Sequence, residues 1–229
     1  ALYPTTVGDA AVNYGTWTSP SYISKYSINT EGNKIGLLYE NFINTVESAI
    51  HELERMGYTP VIKGMWWMQG EEETYNGGAG VYKEMLDLLS SDVRRDLNTP
   101  AMPFVIGKIF TPSSAFADLA TVRAEQEAYA AGDTYGAIVD PQGYFAFVQH
   151  DNWHFDAATQ RYLGESFVKK ACEINGDIIV KTDCDNVIFS GGGLFKATDT
   201  STITVNIAPR EGVEILGTEL AIDGEEPTA

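Results

Sequence analysis

The sequence predicts an α/β fold, in which a parallel sheet carries helices on both faces and a small β module follows. Short, strongly apolar runs alternate along the chain with segments whose apolar residues recur every three or four positions. Strands that alternate with helices pair in parallel, because each helix returns the chain to the starting end of the sheet. After Gly176 the helical period is lost and short β-branched runs follow. We therefore expect two domains, at 1–176 and 177–229.

Each element of the predicted sheet has its own pattern in the chain. The first 35 residues show no period, so we expect loop there, with one short strand at most. Asp156 stands before the last helix and is expected to cap it. Apolar stripes predict helices over 36–56, 81–97, 117–131 and 157–174, and apolar runs predict buried strands over 61–68, 103–109 and 136–140. Sites in such sheets form beyond the carboxyl ends of the strands.

The charge balance argues against some classes of partner. With 32 acidic and 15 basic residues, the chain of 229 carries a formal net charge of −17. Such a chain is repelled by nucleic acid and by anionic membranes, whereas a neutral sugar or ester suits it. No apolar run is long enough to span a bilayer and no Cys/His set has zinc spacing, so we expect no membrane segment and no zinc site. Cys172 and Cys184 leave a short disulfide loop and two thiols equally open.

The sharpest chemical signal is an aspartate three residues before a histidine, Asp151 and His154. A carboxylate at this spacing can accept the Nδ1–H of the ring, which fixes the tautomer and leaves Nε2 to act as a base. The pair lies between the last predicted strand and the last helix, where sites of α/β proteins form. The alternative is an ordinary surface histidine near a helix start.

A second signal follows the apolar run that ends at Met68. Gln69 would project its amide at the carboxyl end of this strand, where an N–H can donate to a developing oxyanion. Gly70 permits a sharp turn there, and Glu71 begins a run of three glutamates. The alternative is a plain strand exit with solvated acids.

Together these strings resemble a known family. Residues 64–71 are similar to the W-x-Q-G-E block of the sialate O-acetylesterase and acetylxylan esterase group of SGNH hydrolases, and 151–158 resemble its D-x-x-H-F block. Gly36–Tyr39 and Val122–Gln126 are supporting matches, and the resemblance covers about residues 10–172 in the same order. It implies a three-layer α/β/α, flavodoxin-like parallel sheet of the SGNH type, and an enzyme that removes acetyl groups from a carbohydrate without metal or cofactor.

The resemblance also implies roles for single residues. His154 would be the general base and Asp151 the residue that orients it, while Gln69 would donate to the oxyanion. The Gly15 N–H, from a string similar to the family's G-G-T block, would be a second donor. Glu71 and Trp153 are the substrate-binding candidates in the two blocks.

One part of the family pattern is missing, the G-Q-S-N block that supplies the serine nucleophile. The serines nearest the start of the chain lie in a polar segment without the strand–turn–helix setting that exposes a nucleophile; they are Ser19, Ser21, Ser24 and Ser27. Two hypotheses follow: an esterase whose nucleophile lies upstream of Ala1, and a non-catalytic carbohydrate-binding or interaction domain. We further expect a secreted or cell-surface protein, and an exposed sheet edge that permits homo-oligomers.

Overall fold

A computed structural model describes residues 1–110, 116–141, 154–182, 184–198 and 202–218. The chain divides into two compact units, Ala1–Asn175 and Gly176–Ala229. The division falls one residue from the expected boundary, at the point where the helical period ends.

The first unit contains a three-stranded parallel sheet. Its strands are β1 (Met65–Trp67), β2 (Phe104–Gly107) and β3 (Gly136–Val139), and they lie in the order β1-β2-β3. The parallel sheet predicted from the sequence is therefore confirmed. Each strand is shorter than the apolar run that predicted it, since the ends of those runs leave the ladder as loops.

Seven α-helices occur in the described residues. They are α1 (Asp9–Tyr14), α2 (Pro20–Lys25), α3 (Leu37–Arg55), α4 (Glu73–Asn76), α5 (Tyr82–Asp96), α6 (Leu119–Gly132) and α7 (Ala157–Asn175). Helices α3, α5, α6 and α7 are the four that the apolar stripes predicted. The cap prediction is also confirmed, because the Asp156 carboxylate accepts the Thr159 N–H at 2.8 Å at the start of α7. This hydrogen bond lowers the pKa of Asp156.

The expectation of loop over the first 35 residues is wrong, because α1 and α2 lie there. Each has six residues, which is too short to display a helical period in the sequence. Local signals start and end them instead. Pro20 occupies the first turn of α2 and the Ser19 hydroxyl accepts the Tyr22 N–H at 3.4 Å, while α1 ends at Gly15 with a φ of 92°.

Helices cover both faces of the sheet, as the fold class requires. On one face, α5 and α6 pack with α3 against a core that includes Trp67, Phe104 and Ile106. On the other face, α7 packs against Val105 and Val139. Strand β2 lies in the middle and is buried on both sides, so its side chains alternate between the two cores. The architecture is three-layer α/β/α.

The second unit consists of short antiparallel pairs, which is the β pattern expected for it. Strand β4 (Asp177–Val180) pairs with β6 (Gly193–Lys196), and β5 (Val187–Ser190) pairs with β7 (Asn206–Pro209). Their side chains are mostly exposed, so this unit has little core of its own in the described residues.

The two cysteines are not joined by a disulfide. Cys172 is buried in α7, and Cys184 is exposed. Their spacing left a disulfide and two thiols equally open, and the structure contains two thiols.

Candidate functional site

The three parallel strands end at one edge of the sheet, and a buried glutamine joins the ends of two of them. Gln126 of α6 is fully buried. Its Nε2 donates to the carbonyl oxygens of Gln69, at 3.2 Å, and of Gly107, at 3.1 Å. Its Oε1 accepts the Ile109 N–H at 3.0 Å. The loop after β1 is thus tied to the end of β2, which places Gln69 at the carboxyl edge where sites form.

The side-chain amide of Gln69 is held from both ends. Its Nε2 donates to Oε2 of Glu73, and its Oε1 accepts from the Tyr82 hydroxyl at 3.2 Å. This hydroxyl has a single proton, which it shares between Oε1 and the Gln69 carbonyl oxygen, the nearer of the two at 2.6 Å. The Glu73 carboxylate accepts, so its contact determines which end of the amide is the nitrogen. One hydrogen of Nε2 is used by Glu73, and the second has no hydrogen-bond acceptor among the described residues.

Glu73 anchors this arrangement from a fully buried position at the start of α4. Its Oε1 accepts the backbone N–H groups of Leu2, at 2.5 Å, and of Tyr3, at 3.0 Å. The carboxyl group therefore ties the first residues of the chain to the Gln69 amide. The interpretation of the glutamate run as solvated acids is wrong for Glu73, and nothing in a run of three identical residues marks the third as the buried one.

Tyr82 is the second buried partner of Gln69 that the sequence did not reveal. Its hydroxyl also accepts the indole Nε1–H of Trp67 at 3.2 Å. Burial, and next the charge of Glu73, raises the pKa of Tyr82 well above its ordinary value. Because the hydroxyl keeps its proton, it remains a donor to Gln69.

Gly70 allows the chain to turn between Gln69 and the glutamates. Its φ is 145°, in a region that side-chain-bearing residues rarely adopt. A Cβ at this position would lie 3.1 Å from Val122 Cγ1 and 3.2 Å from the Tyr82 hydroxyl. A glycine is therefore needed both for the backbone angle and for the space.

His154 and Glu71 interact electrostatically, which relates the two sequence blocks to each other. His154 is exposed and precedes α7, whereas Glu71 is half-buried and follows Gln69 by two residues. Burial raises the pKa of the Glu71 carboxyl, and the nearby charge of Glu73 raises it further, while the charge of His154 lowers it. The histidine is thus close enough to act on the carboxyl group beside the Gln69 turn.

Of the other predicted site residues, Asp151 and Trp153 lie outside the described residues, and their roles stay predictions. The Gly15 N–H donates to the Ala11 carbonyl oxygen at 3.1 Å and so is engaged at the end of α1. A Cβ at Gly15 would lie 2.5 Å from the Lys34 carbonyl oxygen, so close packing alone explains why a glycine is needed at this position. Its role at an oxyanion stays a prediction.

The serines considered as nucleophiles include two with structural roles. Ser19 is buried and caps α2. The Ser21 hydroxyl donates to Oδ1 of the buried Asp92 at 2.5 Å, which joins α2 to α5. Neither serine follows a strand of the parallel sheet, so neither has the setting of an exposed nucleophile.

Two further observations concern only the described parts of the chain. No group of three or more His, Cys, Asp or Glu side chains there is arranged to hold a metal ion. Within the same ranges, none of the helices combines the length and apolar character needed to cross a membrane.

Two solved structures are similar to this chain at a distance. One is a protein from Arabidopsis thaliana, with 24% identity and a TM-score of 0.49, and the other is a carbohydrate acetylesterase from Xanthomonas citri, with 18% identity and a TM-score of 0.41. Each match covers 62% of this chain, but only 55% of the first protein and 32% of the second, so the chain spans about half or less of their length. No curated protein sequence matches the chain.

A family model gives the clearest relationship. The model of the carbohydrate esterases described as sialic acid-specific acetylesterases matches residues 13–173, well over half of the chain. The matched range contains the whole parallel sheet, the Gln69–Glu73 segment and His154. The chain belongs to the carbohydrate esterase family of sialic acid-specific acetylesterases.

Proposed function

We propose that this chain carries the oxyanion-donor and acid–base parts of a carbohydrate O-acetylesterase site, which removes acetyl groups by a Ser-His-Asp mechanism. The single observation that carries the proposal is the fixed amide of Gln69 at the carboxyl edge of the sheet. Its Oε1 is held by Tyr82 and its Nε2 by Glu73, and none of the described residues accepts the second N–H of Nε2, which leaves it for a ligand. A donor that is already oriented stabilises a developing oxyanion without reorganisation during the reaction.

In the proposed mechanism, His154 takes the proton of a serine hydroxyl as the oxygen attacks the acetyl carbonyl. The carbonyl oxygen becomes negatively charged and accepts a hydrogen bond from the remaining N–H of the Gln69 side chain. The bond between the acetyl carbon and the sugar oxygen then breaks as His154 gives its proton to that oxygen, and water, activated by His154, hydrolyses the acyl-enzyme to acetate. Asp151 orients the imidazole. The effect of the His154 charge on the pKa of Glu71 supports this assignment, because it indicates that the histidine lies near the Gln69 turn.

The serine of this mechanism is proposed to come from a segment other than these 229 residues, because the sequence has no G-Q-S-N block. The same absence favours the second candidate, a non-catalytic carbohydrate-binding domain. We propose an acetylated carbohydrate as the substrate in the first case and as the ligand in the second. A secreted or cell-surface location is part of the same proposal, since a protein that acts on a polymeric carbohydrate encounters it outside the cell.

The test compares this chain with a longer protein that carries a G-Q-S-N strand before it. Hydrolysis of 4-nitrophenyl acetate and of O-acetylated sialic acid is measured, together with labelling by a fluorophosphonate probe. We expect activity and serine labelling in the longer protein only. His154→Ala should lower kcat by about 10²–10⁴-fold and Gln69→Ala by about 10²–10³-fold. His51→Ala, an exposed histidine of α3, is the matched control and should have no effect.

The outcomes separate the candidates. Stoichiometric labelling of a serine within the 229 residues, abolished by His154→Ala, would refute an external nucleophile. Activity in the longer protein that survives His154→Ala would refute the base. An inactive longer protein that still binds acetylated saccharide would favour the non-catalytic candidate.

A further inference from the structure

A small cavity lies in the first unit, where the start of the chain, α2 and the segment between α4 and α5 meet. Its volume is about 350 Å³, and three tyrosine rings line it, those of Tyr3, Tyr22 and Tyr26. Ile28 and Val81 add aliphatic surface, and none of the described side chains that line the cavity carries a charge. Ligand pockets in proteins have volumes of about 300–1,000 Å³, so this cavity has the size for one small ring.

The hydroxyl group of Tyr22 is a polar group that lacks a partner. The residue is only 5% exposed, and its backbone N–H donates to the Ser19 hydroxyl, but its own hydroxyl has no hydrogen-bond partner among the described residues. Burial, and next the charges of Tyr26 and Glu84, raises the pKa of Tyr22 to about 12, so the hydroxyl keeps its proton. Since buried polar groups are normally paired, this hydroxyl indicates a polar group on an occupant of the cavity.

Tyr26 adds an aromatic surface at the rim of the cavity. Its ring is 48% exposed and packs on that of Tyr22, with ring centroids 4.7 Å apart. Its hydroxyl shares one proton between the two carboxylate oxygens of Glu84, at 2.8 and 2.9 Å, so the hydroxyl oxygen remains an acceptor. Lys25 pairs with the same carboxylate at 2.5 Å, and the two charges balance each other.

Apolar ring faces and hydrogen-bonding groups occur together in this cavity, and the combination indicates the class of ligand. A sugar ring has C–H groups that pack on aromatic faces and hydroxyl groups around its edge. A wholly apolar occupant would leave the Tyr22 hydroxyl unpaired. An anionic occupant would be opposed by the net charge of −17. A neutral pyranose ring meets both requirements.

The cavity and the Gln69 network share the segment that supports them. Oε1 of Glu73 accepts the Tyr3 N–H at 3.0 Å, and Oε2 of the same carboxylate accepts from the Gln69 amide. Val81, which lines the cavity, is followed directly by Tyr82, the other partner of Gln69. The two places are therefore neighbours in the fold, as two subsites for one saccharide would be.

We propose that the cavity lined by Tyr3, Tyr22 and Tyr26 binds one neutral pyranose ring of a saccharide, which packs on Tyr26 and bonds to the Tyr22 hydroxyl. For a single sugar in a shallow site of this size we expect a Kd on the order of 1 mM. Only the further statement that this ring belongs to the saccharide that carries the acetyl group rests on the proposed function.

Binding is tested on the full chain by NMR titration of its ¹³C-labelled tyrosine rings. The probes are the methyl β-pyranosides of xylose, glucose and galactose. Two comparison ligands are tetrahydropyran, which has the ring without hydroxyl groups, and N-acetylneuraminic acid, which is an anionic sugar. We expect saturable shifts of the Tyr22 and Tyr26 signals with at least one of the pyranosides, and no saturation with the comparison ligands.

Two substitutions locate the binding. Tyr26→Ala removes the ring at the rim and should weaken binding by about tenfold. Tyr58→Ala, at another exposed tyrosine, is the matched control and should leave the Kd unchanged. Tyr22→Phe removes only the hydroxyl and should weaken binding by about fivefold. Tyr22→Phe should not lower the midpoint of urea denaturation, because no described residue bonds to that hydroxyl.

Several results would overturn the proposal: no saturable shift with any of the three pyranosides, or equal affinity in Tyr26→Ala or in Tyr22→Phe. Equal binding of tetrahydropyran would assign the cavity to an apolar ligand, and tighter binding of N-acetylneuraminic acid would refute the preference for a neutral ring. A lower denaturation midpoint in Tyr22→Phe would show that the hydroxyl has a structural role instead. None of these measurements uses esterase activity, so their failure is distinguishable from failure of the proposed function.

Discussion

The Gln69 side of the candidate site and the His154 side are held in different ways. Gln69, Glu73 and Tyr82 form a network in which each polar side chain has partners and two of the three are fully buried. His154 is exposed and precedes α7. The difference teaches that this chain preorganises the side-chain amide of Gln69, whereas His154 does not belong to that buried network.

Removing one member of a buried polar network lowers the free energy of unfolding, because the remaining partners stay buried without a hydrogen-bond partner or water. An exposed side chain has no such cost. Substitutions on the Gln69 side should therefore act on stability, and substitution of His154 should act almost only on chemistry.

The largest effect is expected for Glu73→Ala. It leaves the N–H groups of Leu2, Tyr3 and Gln69 without their acceptor, so we expect the free energy of unfolding to fall by about 3 kcal/mol. Urea denaturation measures it. Glu47→Ala, at an exposed position of α3, is the control, with a change within about 0.5 kcal/mol. A loss for Glu73→Ala as small as that of the control would show that water replaces the carboxyl group.

Gly70→Ala should cause the next largest loss of stability. The strained φ of 145° and the contacts with Val122 and Tyr82 predict a loss of about 2 kcal/mol in unfolding free energy. Gly164→Ala is a control of opposite sign, because Gly164 lies in α7 with open space around its Cβ position. That variant should be more stable by about 0.5–1 kcal/mol. Equal signs for the two substitutions would contradict the account of the turn.

Tyr82→Phe removes only the hydroxyl. Trp67 Nε1 loses its acceptor and Gln69 loses a donor, so we expect a loss of about 1–2 kcal/mol in unfolding free energy. The side-chain amide of Gln69 should also change in ¹⁵N NMR, because one end of it is no longer held. Tyr58→Phe, at an exposed ring, is the control. An unchanged Gln69 signal would mean that Glu73 alone orients the amide.

A smaller effect concerns pH and Glu71. Burial raises the pKa of this carboxyl in the folded protein, so the folded state binds the proton more tightly than the unfolded chain does. The stability that Glu71 contributes is therefore present below its unfolded pKa and is lost as the pH rises through its folded pKa. Glu71→Gln should be more stabilising at pH 7 than at pH 4, as measured by urea denaturation at both values. The reverse order would contradict the burial of this group.

The smallest effect on stability is expected for His154→Ala, within about 0.5 kcal/mol, because the side chain is exposed. The substitution should nevertheless raise the pKa of Glu71, since the charge of His154 lowers it. Carboxyl ¹³C NMR measures this pKa, with His51→Ala as the control. An unchanged pKa of Glu71 would show that His154 does not interact with the Gln69 side of the site, and this would count against the proposed function.

Much of the fold could be predicted from the sequence, because periodicity is a local property. The stripes of α3, α5, α6 and α7, and the apolar runs of β1 to β3, each lie within one segment of the chain. Alternation of the two kinds of segment was enough to predict parallel pairing. The short α1 and α2 were missed, since six residues cannot show a period of 3.6.

By itself the sequence also determined the family, and its short motifs singled out Gln69 and His154 as candidates for the site. Only the tertiary structure decided that Glu73, Tyr82 and Gln126 are the residues that hold the Gln69 loop. Their contacts join positions far apart in the chain, such as Glu73 with Leu2, 71 residues away, and Gln126 with Gln69, 57 residues away. Whether a glutamate is solvated or buried depends on which distant groups surround it after folding, and no local pattern in the chain encodes that.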